Sequence, residues 1–456
     1  MENKNNNFGV GMSVFSAIFF TFGFATTFII TLSAKVKDIF TLSEFEAQLL
    51  TGAFFITYLV LSIPTGYVIK RIGYKSAVVT GLILMGIGSF LFYPAARIPD
   101  FGLFLAATFV LASGVVFLQT AANPYVSALG SEESASGRLN LVQALNSIAT
   151  MIAPWLIAVF IFKGTSQLLS AAQKAESVQM PFVLMGVIVL LIALAIVMIK
   201  LPVIGEASAD GAEKKSVWNY PHVLLGALGI FCYVGAEVGN AGLLVSYLKT
   251  TNHMSAEVAS TYAAIYWGGA MVGRFMGSIL FSGINGNIRK YTYVGLALLL
   301  AFVAGSFVTG WNWTIGSIFF AIALVNFIVM QLGRGKAGRT LAIFALVAGT
   351  LDLVTTFTTG SVALWTVISI GLFNSIMFPN IFTLAVRDLD QGELSAASGI
   401  INSLVFGGAV IPLMMGGVAD SMGYAWAFLI PAICYLYIFF FAVKGSKIRK
   451  ASVLIK

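Results

Sequence analysis

Apolar runs of bilayer-crossing length alternate with short polar stretches along almost the whole chain. A membrane-spanning helix needs about 20 mostly apolar residues. The pattern predicts fourteen such helices, over 8–33, 45–69, 76–95, 102–128, 141–162, 181–201, 221–248, 257–281, 291–309, 314–332, 340–358, 361–386, 393–418 and 423–443. The first run, Phe8 to Ser33, is too long for the apolar segment of a signal peptide and ends without a small-residue cleavage site. It is therefore read as a retained helix. The expected fold class is an all-α integral membrane protein.

Within this pattern one helix carries a polar interruption: Leu118-Gln119-Thr120-Ala121-Ala122-Asn123-Pro124-Tyr125. It follows the apolar stretch Phe104 to Phe117 and precedes the acidic loop Ser131-Glu132-Glu133-Ser134. Glutamine and asparagine are costly in a bilayer unless they face protein, water or a ligand. Pro124 donates no N–H, so the carbonyl near Thr120 loses its helical partner. A break of that kind is tolerated beside a buried or water-filled cavity. The segment points to a polar site at membrane depth.

The interruption has a counterpart. Asn123-Pro124 in the fourth span is echoed by Phe378-Pro379-Asn380 in the twelfth. After each comes a charged loop, then Ala135-Ser136-Gly137 or Ala397-Ser398-Gly399, then Asn146-Ser147 or Asn402-Ser403, then Pro154 or Pro412. Gly23-Phe24-Ala25-Thr26 in the first span similarly matches Gly235-Ala236-Glu237-Val238 in the seventh. Matched helix breaks in two halves point to a transporter's central site. The register slips after the eighth span, because 291–339 has no partner in the first half. The expected organisation is an N-terminal six-helix bundle (1–201), a polar linker (202–220) and a C-terminal bundle (221–456) with an inserted helical hairpin at 291–339.

Composition agrees with the pattern. Hydrophobic residues make up 59% and charged residues 10%, against about a quarter charged in soluble domains. The net charge of +8 would suggest nucleic acid in a soluble protein, but here the positives sit in short loops. With the N-terminus inside, inner loops hold Lys70, Arg71 and Lys75; Arg138; Lys200, Lys214 and Lys215; Arg289 and Lys290; Arg334, Lys336 and Arg339; Arg387; and Lys444, Lys447, Arg449 and Lys450. Outer loops hold Lys35, Lys37, Arg97, Lys163, Lys174 and Lys249. This excess of about threefold assigns both termini to the cytoplasm. Cys232 and Cys434 lie inside apolar spans, so no disulfide framework is expected.

The strings Leu118 to Tyr125, Arg138-Leu139-Asn140-Leu141, Tyr266-Trp267-Gly268-Gly269-Ala270-Met271-Val272-Gly273-Arg274-Phe275 and Phe373-Asn374-Ser375-Ile376-Met377-Phe378-Pro379 resemble the fucose and glucose/galactose permease branch of the major facilitator superfamily. The likeness covers the chain except 291–339 and the loops. A degenerate form of the superfamily loop signature spans Gly66 to Lys75, with Lys70 where an acid is usual. The resemblance implies a major facilitator fold, with a core of six plus six helices and two extra. It also implies import of a hexose or deoxyhexose by alternating access. Sugar contacts in that family come from the fifth helix, here Gln143 and Asn146. Its proton-coupled fucose members carry acids in the first and fourth helices, and the matching positions here are Ile30 and Gln119.

The residues themselves supply candidates. Gln143 and Asn146 share one helix face, and amides offer sugar hydroxyls both donors and acceptors. They could equally bond helix to helix. Gln119 and Asn123 share a face in the same way, with Asn123 able to satisfy backbone freed by Pro124. Glu237 is an isolated acid near the centre of the seventh span, a functional position by default. It could exchange a proton, ligate sodium, hold sugar or pair with Arg274. Lys70, Arg71 and Arg274 are candidate gating charges, with snorkelling the other reading for Arg274. Asp352 reads as structural.

Tyr266 and Trp267 offer aromatic faces for a pyranose, or packing. Asn374, Asn380 and Asn402 are the second-half counterparts of the polar line. Trp218, Trp311, Trp313 and Trp426 read as interfacial anchors, and Gly407-Gly408 and Gly416-Gly417 as close packing. No nucleotide-binding loop, metal-ligand cluster or nucleophile with a base occurs. No enzyme activity, cofactor or metal is expected. The expected partners are a small neutral sugar, a proton or sodium ion and the bilayer of a bacterial inner membrane, around a monomer. A uniporter, an importer of an amino sugar or other polar solute, and a transporter-like nutrient sensor are the alternatives.

Overall fold

A computed structural model describes residues 2–129, 135–162, 171–199, 201, 220–281, 286–387, 389, 397 and 399–447. The acidic loop 131–134 and the linker 202–219, with Trp218, Lys214 and Lys215, lie outside them, as do Lys163, Lys200 and the side chain of Lys70. The described residues form helices joined by short turns, with no strand among them. The helices are α1 (Glu2–Phe40), α2 (Glu44–Arg97), α3 (Phe101–Ala128), α4 (Ala135–Ile157), α5 (Ala171–Met198), α6 (Pro221–Thr251), α7 (Ala256–Phe281), α8 (Asn287–Val308), α9 (Trp313–Leu332), α10 (Ala337–Phe357), α11 (Gly360–Asn374), α12 (Met377–Ala385), α13 (Gly407–Met422) and α14 (Leu429–Phe440).

Among the described residues, thirteen helical segments are long and apolar enough to cross a membrane. The predicted span 257–281 is not among them, although it forms the continuous helix α7 of 26 residues. Its tyrosines, glycines and Arg274 lower its apolarity, and they are the residues that face its neighbours. The second and third predicted spans fall in α2, which contains two crossings joined at Gly73. Gly73 takes φ 78° and ψ 166°, a backbone state that glycine alone adopts freely.

Helix starts follow local chemistry. Ser43 and Glu46 form a capping box at the start of α2. The Asp100 carboxylate accepts from Leu103 N at 2.8 Å, and Asn312 Oδ1 accepts from Ile315 N at 3.2 Å. Each satisfies a backbone donor that has no intrahelical partner.

One expectation is corrected. The helix does not break at Asn123-Pro124: α3 runs unbroken from Phe101 to Ala128. A single lost hydrogen bond four residues before a helix end does not outweigh the remaining ladder. In the second half the break is real, since α11 ends at Asn374, Ser375 and Ile376 form a turn, and α12 starts at Met377. Pro379 then falls in the first turn of a helix, where its missing donor is harmless.

α2 packs on α3 and α5, and α1 on α4; α6 packs on α13 and α14, and α10 on α11 and α14. α7 lies between α4 and α11. α8 and α9 pack on each other and on α7. Trp155 of α4 meets Phe307 of α8 with ring centroids 5.2 Å apart. One apolar core runs through all these helices. Large apolar side chains are also exposed, such as Leu191 and Leu194 of α5, Leu296 and Leu299 of α8, and Ile328 of α9. Such a surface suits lipid rather than water.

Gly407, Gly408 and Gly416 sit in close packing as the sequence suggests, whereas Gly417 has only an ordinary contact with Phe45. A Cβ on Gly407 would collide with the Phe231 carbonyl, and one on Gly416 would lie 2.9 Å from Glu44 O. Trp311, Trp313 and Trp426 stand exposed at helix ends.

Candidate functional site

Glu237 lies near the middle of α6 and is 8% exposed. One turn earlier, the Tyr233 hydroxyl donates to its Oε1 at 2.7 Å. Arg274 of α7 brings Nη2 to 3.9 Å from the same oxygen. Its Nη1 donates to Ser147 Oγ of α4 at 2.6 Å, and its Nε donates to the Ser375 carbonyl at 3.3 Å. That carbonyl is free because its helical donor four residues on would be Pro379, which has none. The proline therefore creates the acceptor that Arg274 uses.

Arg274 reaches this turn because small residues bring α7 and α11 together. A Cβ on Gly371 would overlap the Tyr266 carbonyl, and one on Gly273 would overlap Ser375 Oγ. Across the same seam the Tyr266 hydroxyl donates to the Glu237 carbonyl at 3.0 Å and accepts from Asn374 Nδ2 at 3.0 Å. Asn374 Oδ1 accepts from the Tyr435 hydroxyl of α14 at 2.6 Å. Glu237, Arg274, Tyr266 and Asn374 thus belong to one buried network over α6, α7, α11 and α14, reaching Ser147 of α4.

The other candidates are placed as follows. Asn146 is buried, and its Nδ2 donates to the Phe19 carbonyl of α1 at 2.8 Å, where Gly23 leaves room for it. In this conformation Asn146 joins two helices. Gln143, one turn away, is half-buried; its backbone carbonyl accepts from Ser147 Oγ at 2.8 Å, while its amide makes no hydrogen bond among the described residues. Trp267 is 5% exposed and stands edge-on to Tyr266; its indole N–H is buried without a hydrogen-bond partner among the described residues. Gln119, Asn123 and Asn402 are half-buried, and no hydrogen bond links Gln119 or Asn402 to the network. Asn380 is buried with its amide nitrogen unpaired. Arg71 is exposed at the α2 turn. The ion pair places Arg274 in the interior, which removes the snorkelling reading.

Several participants were not picked out by sequence. Ser147 and Ser375 sit inside quoted motifs, and the free carbonyl at 375 follows from Pro379 by the rule applied to Pro124. Tyr435 carries no signal, being one tyrosine in an apolar helix. Its role depends on which helix it faces.

A second polar cluster lies at the end of the bundle away from the termini. The Lys37 ammonium is 2.7 Å from Glu44 Oε2, and the Tyr424 hydroxyl donates to that oxygen at 2.8 Å. The Asp420 carboxylate accepts from Glu44 N at 2.7 Å and Phe45 N at 2.8 Å. Lys249 pairs with Asp38 at 2.6 Å, and Gln48 Nε2 donates to the Gly242 carbonyl at 3.3 Å. These contacts tie α1 and α2 to α6 and the α13 end.

Residues 14–333 match the Major Facilitator Superfamily. The glucose/galactose transporter of Brucella abortus is 38% identical over 449 residues, covering 98% of this chain and 96% of that protein. The L-fucose-proton symporter of Escherichia coli is 31% identical over 462 residues, covering 96% and 94%. Among solved structures, the major facilitator transporter FucP in its outward conformation is similar, with a TM-score of 0.66, 29% identity, and coverage of 97% of this chain and 100% of that one.

Proposed function

The chain belongs to the Major Facilitator Superfamily, and we propose that it imports a neutral hexose or deoxyhexose by alternating access, driven by a cation gradient. The names of its full-length relatives support glucose, galactose or L-fucose as the substrate class and a transporter rather than an enzyme. The observation that carries the reading is Arg274. It bonds Ser147 of the first bundle and Ser375 of the second while facing the buried Glu237. A buried acid and its cation at a seam between helix groups form a device whose contacts can be exchanged when one group rocks against the other.

In this reading 1–201 and 221–456 are the two moving bundles, and 291–339 is an appended hairpin. Both termini face the cytoplasm of a bacterial inner membrane. The Lys37–Glu44–Tyr424 cluster then closes the outer side. Sugar is held by Gln143, Asn146 and Trp267, flanked by Gln119, Asn123, Tyr266, Asn374 and Asn402. Glu237 carries the coupling cation, while Lys70, Arg71 and Arg274 serve the gates. A uniporter is the second reading, favoured by Ile30 and Gln119 where proton-coupled relatives carry acids.

Uptake of labelled glucose, galactose and L-fucose into proteoliposomes, under imposed proton or sodium gradients, tests this. At least one sugar accumulates against its gradient. Glu237→Gln abolishes accumulation and retains counterflow. Transport of none of the three sinks the substrate class, and accumulation by Glu237→Gln sinks the coupling role.

A further inference from the structure

Beyond Glu237, the second half holds another isolated acid in its interior. Asp352 of α10 is 0% exposed, and neither carboxylate oxygen has a hydrogen-bond partner among the described residues. Asn240 of α6 is also 0% exposed, and neither its amide oxygen nor its amide nitrogen is paired. The two side chains lie near each other between α6 and α10 without reaching hydrogen-bond geometry. No Lys, Arg or His forms an ion pair with Asp352 among the described residues. The titratable groups around it are Tyr266 of α7 and Tyr435 and Cys434 of α14, with Glu237 of α6 beyond the tyrosines. None supplies a positive charge.

An ionised carboxylate here would be a buried charge without a counter-ion, the most costly state for such a group. Adding one proton resolves the arrangement. A carboxylic acid donates O–H to an amide oxygen while its carbonyl accepts from the amide N–H. The four unpaired atoms of Asp352 and Asn240 are the complement such a reciprocal pair requires. A sodium ion would need about six oxygen ligands, by analogy with other hard cations, and these two side chains offer three.

We propose that Asp352 and Asn240 form a buried proton-binding site in the C-terminal bundle, separate from Glu237. The site adjoins the central network, since Asp352 lies beside Tyr435, and Tyr435, Asn374 and Tyr266 are hydrogen-bonded in series to the Glu237 carbonyl. Occupancy by a proton fixes the spacing of α6 and α10 around α14. Release of the proton leaves an unpaired charge that favours a rearranged bundle open to water. A chain with Ile30 and Gln119 in its first half would carry its protonatable acids in its second.

The test is infrared difference spectroscopy on the full-length purified protein, with thermal unfolding in sodium chloride against choline chloride. Wild type shows a protonated carboxylic-acid band at neutral pH. Asp352→Asn removes part of that band; Glu237→Gln leaves that part in place. Asn240→Ala shifts it by removing the hydrogen-bond partner. If Asp352→Asn does not fold, the Asn240→Ala shift decides. A band unchanged in Asp352→Asn, or in Asn240→Ala, overturns the proposal. So does a sodium-specific stabilisation of wild type that Asp352→Asn abolishes, which would identify sodium as the occupant. The readouts need no sugar, so failure of the transport reading leaves them independent.

Discussion

The Arg274–Glu237 contact shows what individual residues contribute. Unit charges about 4 Å apart gain about 4 kcal/mol at an effective dielectric of about 20. Removing both ions from water costs several kcal/mol each. The pair is therefore not a net stabiliser of the fold, and its value is positional. Arg274 is held at the seam by Ser147 and Ser375, while Glu237 keeps a second partner in Tyr233. Tyr435 differs, because its hydroxyl is neutral and buried against Asn374 Oδ1. Tyr435→Phe should cost about 1 kcal/mol, the range for a buried side-chain hydrogen bond in a membrane bundle. A lowered melting temperature of detergent-purified protein checks this, and an unchanged one would show the bond to be dispensable. The Gln143 amide makes no hydrogen bond among the described residues, whereas Asn146 is spent on Phe19. Gln143→Ala should therefore abolish sugar binding with stability unchanged, and Asn146→Ala should lower both. Equal melting temperatures for the two variants would contradict that division. The presence of polar residues in these spans was legible in the sequence, but which atoms are occupied was not, because that depends on the opposing helix.

At the scale of elements, a helix terminus serves as a latch. The first backbone N–H groups of α2 are held by Asp420 from the far side of the bundle. A carboxylate at a helix N-terminus is worth about 1 kcal/mol. Asp420→Ala should therefore shift the closed-to-open balance of that end by about fivefold. Gly52 faces Leu413 at the same interface. In a Gly52→Cys background, maleimide labelling should accelerate when Asp420 is replaced, and an unaltered rate would show that the latch bears no load. Two prolines read as equivalent breaks behave differently because of position. Pro124 sits within the last turns of α3, which continues through it, whereas Pro379 falls in the first turn of α12 after a turn at Ser375 and Ile376. The motif is visible in sequence. The length of helix left on each side decides the outcome.

Across the whole molecule, the inserted pair α8 and α9 packs mainly on α7, with α9 also meeting α10 and α11 and Phe307 of α8 meeting Trp155 of α4. Lipid is as apolar as a neighbouring helix face, so uncovering α7 carries little hydrophobic penalty. Replacing 287–332 by a short Gly-Ser linker should leave inserted, monodisperse protein with both termini on one face; complete loss of folded protein would show the hairpin to be part of the core. Sequence alone determined the membrane class and the all-helical architecture, and thirteen of its fourteen expected spans fall on segments long and apolar enough to cross. Span length and apolarity are set by the bilayer, and each helix closes its own backbone hydrogen bonds. It also exposed the repeated motifs and the isolated acids. Tertiary structure alone decided that Arg274 reaches the carbonyl freed by Pro379 and that Tyr435 completes Asn374. Those pairings join residues far apart in the chain, and they arise where glycine-lined seams let helices approach closely enough for particular atoms to meet.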